Sequence, residues 1–569
     1  MLRLLYALVV VLCVLPTVPG VLGVVSSSLS YIPPLGMSSL SFTGFKQVFA
    51  WNGVWQSIGL TLFSAIASSY LACLLAFAIL QRCWNTRWWQ KIELSLSPLL
   101  SIPHVAFAIG FAFLFDPTGL GVRLVHALFG HDLNQSTGHE LALLIHDPYA
   151  LGLIIMLAIK EVPFLLLMSI PILKQLNIDK TEKITASMGY SRAHAWWKSL
   201  FVQWLVKLRF PMLAVLAYSL SVVDVALIVG PTNPPTFAVL VWQWFNDPDL
   251  TLLPRASAGA IVLFIIASLI IAFARTVEWL ITKGFRHWQI SGRRGVMLPG
   301  RGLFSGMILL TGAMLPLMVV WSFAQRWRFP DIVPSRYSVR FWEYEWSGIV
   351  STIEQSLSLA LVSGTIAVVL ALIAHEYRIR HRWQVPGYVI AIPMLIPQLS
   401  ILFGLQVTTL FIGGNAHWLW VCWAHMFFAF PFVYLSLDGP WRSYNEAMTR
   451  VALSLGKTPL SVFLKVKLPQ VFPAILFAWA IGISVSLSQY LPTLILGAGR
   501  ISTLTTEAVA LSSGFDRRVT AIYALWQALL PLIFFFIAIL GSRMHARYRC
   551  SKFKGLQSNE SVSKKSHSS

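Results

Sequence analysis

The chain has 569 residues, of which 56% are hydrophobic and only 11% charged, with a formal net charge of +21. So few charges cannot cover the apolar surface of a soluble domain, whereas a helical bundle in lipid needs this balance. A spanning helix takes roughly 20 mostly apolar residues, and the runs lack the period-2 alternation of a membrane barrel.

Twelve such runs are predicted, in two sets of six. The first set covers about 2–25, 55–80, 94–115, 150–173, 210–230 and 256–281; the second covers about 303–323, 354–374, 387–410, 416–437, 472–497 and 520–541. With the N-terminus inside, the cytoplasmic segments hold 31 of the 43 Lys and Arg residues and the outer loops 10, leaving Lys160 and Arg275 within spans. This threefold bias follows the positive-inside rule and predicts both termini in the cytoplasm. The basic excess therefore reports topology, and no nucleic-acid partner is expected.

Taken in chain order, the second set repeats the first. Leu15-Pro16 in the first span matches Leu315-Pro316 in the seventh, so residues 2–25 are read as a retained span, not a signal peptide. Gln56-Ser57 opens the second span as Gln355-Ser356 opens the eighth, and Pro103 with Gly110 matches Pro397 with Gly404. Pro163-Phe164 matches Pro431-Phe432, and Gly189 matches Gly456. The offset falls from 294 to 268 between the third and fourth spans, which assigns the first half about 26 extra residues in the outer segment 116–149. That segment is either a tolerated surface insertion or a contact for an external partner. The predicted organisation is a first half at 1–281, a cytoplasmic linker at 282–302, a second half at 303–541 and a tail at 542–569. The Ser/Lys-rich end of the tail has the composition of disorder.

The five cysteines and the histidines (His104, His139 and His425 among them) show no ligand spacing, so no disulfide framework and no metal site is expected. Two long inner loops, 174–209 and 439–471, carry more information. In the second, Gly456 is preceded by Ala452 and followed by Phe463, Val466 and Pro469. Two short amphipathic helices broken at Gly456 fit this spacing, with Phe463 and Val466 on one face and Lys457, Lys465 and Lys467 left in water. An amphipathic element that cannot enter the bilayer wants an apolar groove on a partner. Gly456-Lys457-Thr458 is not a phosphate-binding loop, because that pattern needs glycine where Val451 stands.

The second loop resembles the EAA signature of ABC importer permeases: EAA, three residues, glycine, then a Phe–Val–Pro series. It departs from the signature at Arg450, which occupies the glutamate position. The first loop is more divergent. Around Gly189 it has Lys183 at the glutamate position, Trp196 at the phenylalanine position, and Ser199 and Val202 at the last two. The fused two-by-six arrangement, with 235–245 and 501–514 in matching places, resembles the ferric-iron, thiamine and phosphonate branch of the family. The resemblance covers about 3–541 and implies an all-α core of the type I importer kind in the bacterial inner membrane. It further implies that the loops dock two ATPase subunits through Gly456, Phe463, Val466, Pro469, Ala452, Gly189 and Trp196, and that a periplasmic binding protein delivers the solute. ATP would be used by those partners; this chain carries no nucleotide-binding domain, binds no cofactor of its own and is not expected to be an enzyme.

Charges inside spans are costly, by about 2.5–3.5 kcal/mol on insertion scales, and so mark functional candidates. Asp224 in the fifth span and Gln489 in the eleventh each lie three residues after a serine, and are read as equivalent groups facing a shared path. Lys160-Glu161, beside Pro163, is read as a locally neutralised pair. A proton-coupled carrier of the major facilitator type would also have two six-span halves. Its GxxxD(R/K)xGRR-like loop is missing after the second span, where QRCWNTRWWQKIE stands. Neither the cargo nor its contacts are legible, thiamine and ferric iron being the branch's examples.

Overall fold

A backbone crossing hydrocarbon must satisfy its own N–H and C=O groups, and the computed structural model of the chain is built almost wholly from helices. It describes residues 2–130, 144–291, 295–381, 385–390, 392–412, 416–514 and 516–566. Eleven helical stretches among them are long and apolar enough to cross a membrane, from Leu2–Ser28 to Arg517–Tyr548. Large apolar side chains such as Leu22, Leu269, Leu309 and Phe536 stand exposed on their outer faces, where lipid tails solvate them as well as a core would.

The predicted ninth span, 387–410, supplies none of these eleven stretches. Helix Gly387–Ile390, helix Ile392–Leu395 and helix Gln398–Ile412 replace it, because Pro393 and Pro397 remove backbone donors within ten residues of each other. The third span is displaced for the same reason. Helix Arg87–Ser101 ends before Pro103, and helix His104–Phe115 begins after it. The predicted end of the second half is also corrected. The last helix runs Arg517–Ser566, so the segment expected to lack structure continues the twelfth span, elongation of a formed helix being easier than its nucleation.

The halves are crossed, not set side by side. The second span packs against the fourth and the eighth against the tenth, and each also packs against the helix after its half's long inner loop. The first span, however, lies on helix Gln398–Ile412 of the second half, and the seventh span, Gly300–Phe323, lies on helix His104–Phe115 of the first. Glycine makes the first crossing possible. A Cβ on Gly404 would sit 1.6 Å from the Gly20 carbonyl oxygen, and one on Gly23 would sit 2.5 Å from that of Gly404. Gly110, the repeat equivalent of Gly404, faces Met314 and Met318 in the reciprocal crossing. The first span is thus an integral wall of the bundle. The outer insertion also reaches across: Arg123 donates to the carbonyls of Arg328 (2.7 Å) and Asp331 (2.5 Å), beside a short hairpin of Ala324–Arg326 and Arg336–Tyr337. Residues 131–143 of that insertion lie outside the described residues.

Gly404→Ala is expected to force this crossing apart and cost about 1–3 kcal/mol, as overpacking does. Gly312→Ala, where an added Cβ meets nothing within 4 Å, should leave thermal unfolding in detergent unchanged. Equal melting temperatures for the two variants would refute the close approach.

Candidate functional site

The two inner loops fold alike, in one constant register of 267 residues. Helix Ile178–Ser187 corresponds to helix Glu446–Ser454. Gly189 (φ +80°) and Gly456 (φ +76°) follow them in the left-handed conformation that ends a helix without a Cβ clash. Ser191 and Thr458 then cap the next turn, accepting from the N–H groups of His194 and Ser461. A wide π turn follows at Trp196–Leu200 and at Phe463–Lys467, leading straight into the fifth and eleventh spans. The second short helix of each loop is therefore the root of a span. The first helix alone protrudes.

That geometry changes which residues can meet a partner. Gly456 is exposed and Ala452, Phe463, Val466 and Pro469 are partly covered. Phe463 packs toward Trp441 at 6.4 Å between ring centres, and the Pro469 carbonyl accepts from His545 Nε2. Trp196 is 1% exposed and its indole donates to Glu182 Oε1 at 2.6 Å; it anchors the protruding helix from beneath and presents no docking surface. The exposed apolar side chains that match between the loops are instead Ile184 (59%) and Met188 (66%) in the first, and Val451 (59%) and Leu455 (73%) in the second, which also exposes Met448, Leu460 and Leu464. Both pairs are spaced i, i+4, hence on one helical face, and they coincide at the offset of 267. The sequence carried this signal in the residues just before each glycine, upstream of the motif positions weighed there.

The fastening beneath the two helices differs. Lys467, expected in water, is 2% exposed. Its ammonium bonds Glu376 Oε2 of the eighth span at 3.0 Å and Glu446 Oε1 of the protruding helix at 2.9 Å. It also lies over the Trp441 and Tyr444 rings, 4.7 and 5.0 Å from their centres, and Arg380 completes the set on Glu376 at 2.7 Å. In the first half the equivalent of Lys467 is Leu200, and the equivalent of Glu376, at the offset of 299, is Phe77. Phe77 meets Trp197 at 4.8 Å, Phe201 at 4.9 Å and Trp196 at 6.1 Å. An aromatic cluster thus does for one loop what an ionic network does for the other. The linker adds to the first, the Val296 carbonyl accepting from Gln81 and from Trp197.

Deeper in the bundle, the fifth span breaks between helix Phe201–Ser221 and helix Asp224–Val229, and the eleventh between helix Leu468–Leu487 and helix Leu491–Gly497. Asp224 opens its helix, half-buried. Gln489 lies inside the second break, donating to the His425 carbonyl at 3.0 Å. They are not register equivalents. The offset of 267 that joins Gly230 to Gly497, and Thr236 to Thr503 at the heads of the next helices, sets Asp224 against Leu491, and Gln489 against Val222; the serine spacing misled by two residues. Lys160 and Glu161 do not neutralise each other directly either. Lys160 donates to the Leu99 carbonyl at 2.9 Å, satisfying the helix end before Pro103, while Glu161 bonds His104 Nε2 at 2.9 Å. A buried chain in the second half, unforeseen in the sequence, links Ser363, Ser486, His425 and Thr493 through contacts of 2.8–3.0 Å.

Removing the buried ammonium tests the ionic fastening. Lys467→Ala should cost about 3 kcal/mol, the low end for breaking a buried pair, because Glu376 keeps Arg380. Adding Glu376→Gln to Lys467→Met should recover part of that loss in thermal unfolding. A single variant as stable as the parent would remove Lys467 from the account.

No family model matches the chain. It is 31% identical over 550 residues to the inner membrane ABC transporter permease protein YnjC of Escherichia coli (strain K12), covering 94% of this chain and 95% of that one. Over shorter stretches it is 26% identical to the putrescine transport system permease protein PotI of Escherichia coli (strain K12), across 26% of this chain and 59% of that protein. It is also 23% identical to the spermidine/putrescine transport system permease protein PotC of the same organism, across 25% and 54%. An all-helical bundle of crossed halves, with a matched protruding helix on each, and a relative aligned from end to end lead to one conclusion: this chain belongs to the inner-membrane ABC transporter permeases.

Proposed function

We propose that the chain passes a small solute from a periplasmic binding protein to the cytoplasm, and that two ATPase subunits drive it by seating the helices Ile178–Ser187 and Glu446–Ser454. The observation that carries this reading is the matched pair of exposed apolar faces, Ile184 with Met188 and Val451 with Leu455, on helices wedged against span roots. An apolar helix face standing in water at the same register of both halves suits a groove on two copies of one partner. The span roots then give a displaced helix a stiff path into the membrane: each π turn joins the loop to a span without a flexible joint. This places both termini and both loops on the cytoplasmic side, in agreement with the distribution of Lys and Arg.

Gly456 and the Phe463 and Val466 side chains shape the second docking element in this reading and Ala452 borders its face; in the first, Gly189 ends the docking helix and Trp196 supports it from beneath. Pro469 sits at the root. The energy source is ATP on the partner subunits. As for the cargo, PotI and PotC carry polyamine names, which favours an aliphatic organic solute over the ferric iron or thiamine of the branch that the fused arrangement first suggested.

Replacing Val451 and Leu455 together by Asp should lower co-purification of the ATPase subunits at least tenfold and abolish ATP-driven uptake. Thermal unfolding should stay within about 0.5 kcal/mol, as for exposed sites generally. The same pair of changes at Ile184 and Met188 should weaken association comparably. Undiminished association and uptake in both double variants would refute the docking assignment.

A further inference from the structure

Three interruptions meet in the interior of the bundle, the third span before His104, the fifth before Asp224 and the eleventh before Leu491, beside Lys160-Glu161 of the continuous fourth span. The short helix Asp224–Val229 packs on helix His104–Phe115, on helix Leu151–Gln175 and on helix Leu504–Ser512 of the second half. Each of the ionisable groups gathered there has its partner, with one exception. Glu161 holds His104, whose ring lies 4.7 Å from that of Tyr218. Lys160 is turned to the Leu99 carbonyl, its ammonium 5.9 Å from the Phe107 ring centre. Asp224 makes no ion pair among the described residues; it accepts from the N–H of Val225, and its electrostatic neighbours are His104, Tyr218 and, from the second half, Tyr490.

A half-buried carboxylate inside a span that lacks a cation is costly unless something arrives to pair with it. The chemistry around it specifies what. Tyr218 and Tyr490 offer aromatic faces, which attract ammonium groups. Beside Tyr490, Gln489 spends its amide N–H on the His425 carbonyl and leaves its buried amide oxygen without a partner. The site is thus rich in acceptors. Its one nearby fixed cation, Lys160, is already committed to a backbone carbonyl, so an anionic solute finds no counter-charge.

We infer that Asp224, Tyr218, Tyr490 and Gln489 form a site, shared between the two halves, for a primary ammonium group of the transported solute. A primary ammonium brings N–H donors to the carboxylate and the orphaned amide oxygen, and its charge to the rings; a quaternary ammonium could use only the rings and the charge. The site sits where the interrupted spans meet, so that a motion of the span roots would change its access. This rests on the importer reading above, and the two can fail separately.

The test uses the full chain with its ATPase subunits in lipid nanodiscs, and radiolabelled putrescine as the probe, with choline and glutamate as competitors. The wild-type complex should retain putrescine; Asp224→Asn should lower retention at least tenfold, and Asp224→Glu should restore most of it. Excess choline should displace putrescine poorly and glutamate not at all. Co-elution of the variants with the ATPase subunits controls for folding. Equal retention by wild type and Asp224→Asn, retention by neither, or displacement by glutamate would overturn the site, and equal competition by choline would overturn its preference for a primary ammonium. Failure of the wild-type chain to support ATP hydrolysis by the partner subunits would instead sink the importer reading.

Discussion

A helix interrupted inside a bilayer frees carbonyl and N–H groups that lipid cannot solvate, and the arrangement of this chain follows from how those groups are satisfied. Before Pro103 the freed Leu99 carbonyl is taken by the Lys160 ammonium. At the eleventh-span break the Gln489 carbonyl accepts from Thr493 of the same span, while the Gln489 amide donates to the His425 carbonyl of the unbroken tenth span. The Lys160 and Gln489 contacts each set a polar side chain of one span against a neighbouring span at the depth of a break.

The two halves answer one mechanical requirement with different chemistry. A helix that transmits force must be held to the bundle more firmly than to the solvent side, and its root is where it is held. Phe77 with the surrounding tryptophans holds the root of the first by dispersion and burial, with the Trp196–Glu182 hydrogen bond and the Arg192–Glu182 ion pair fastening the helix to it. Lys467 between Glu376 and Glu446 holds the second by charge-assisted hydrogen bonds, which are directional and costly to leave half-made. The asymmetry is invisible in the shared backbone, which repeats at a register of 267 through glycine, cap and π turn alike.

Crossing of the halves matters for the same reason. With the first span packed on helix Gln398–Ile412 and the seventh on helix His104–Phe115, neither half can rotate without carrying a wall of the other. Gly20, Gly23 and Gly404 let two backbones meet where no side chain fits, and small-residue contacts are the main source of helix affinity in lipid, where burial alone gains nothing.

Much of this was legible in the residues. Hydropathy located the spans, the uneven Lys and Arg distribution predicted the sides, the repeat paired the halves, and Gly189 and Gly456 marked the ends of the protruding helices, because each of these signals depends on composition or on neighbours within one turn. Two features were not legible. The burial of Lys467 and Trp196 and the gathering of Asp224 with Tyr490 both depend on which distant helix supplies the facing group. Lys467 is separated from Glu376 by 91 residues and His104 from Glu161 by 57. A lysine in a polar loop reads as solvated until two carboxylates and two rings close over it, so local sequence determined the elements and their order, while only the tertiary structure decided which charges meet.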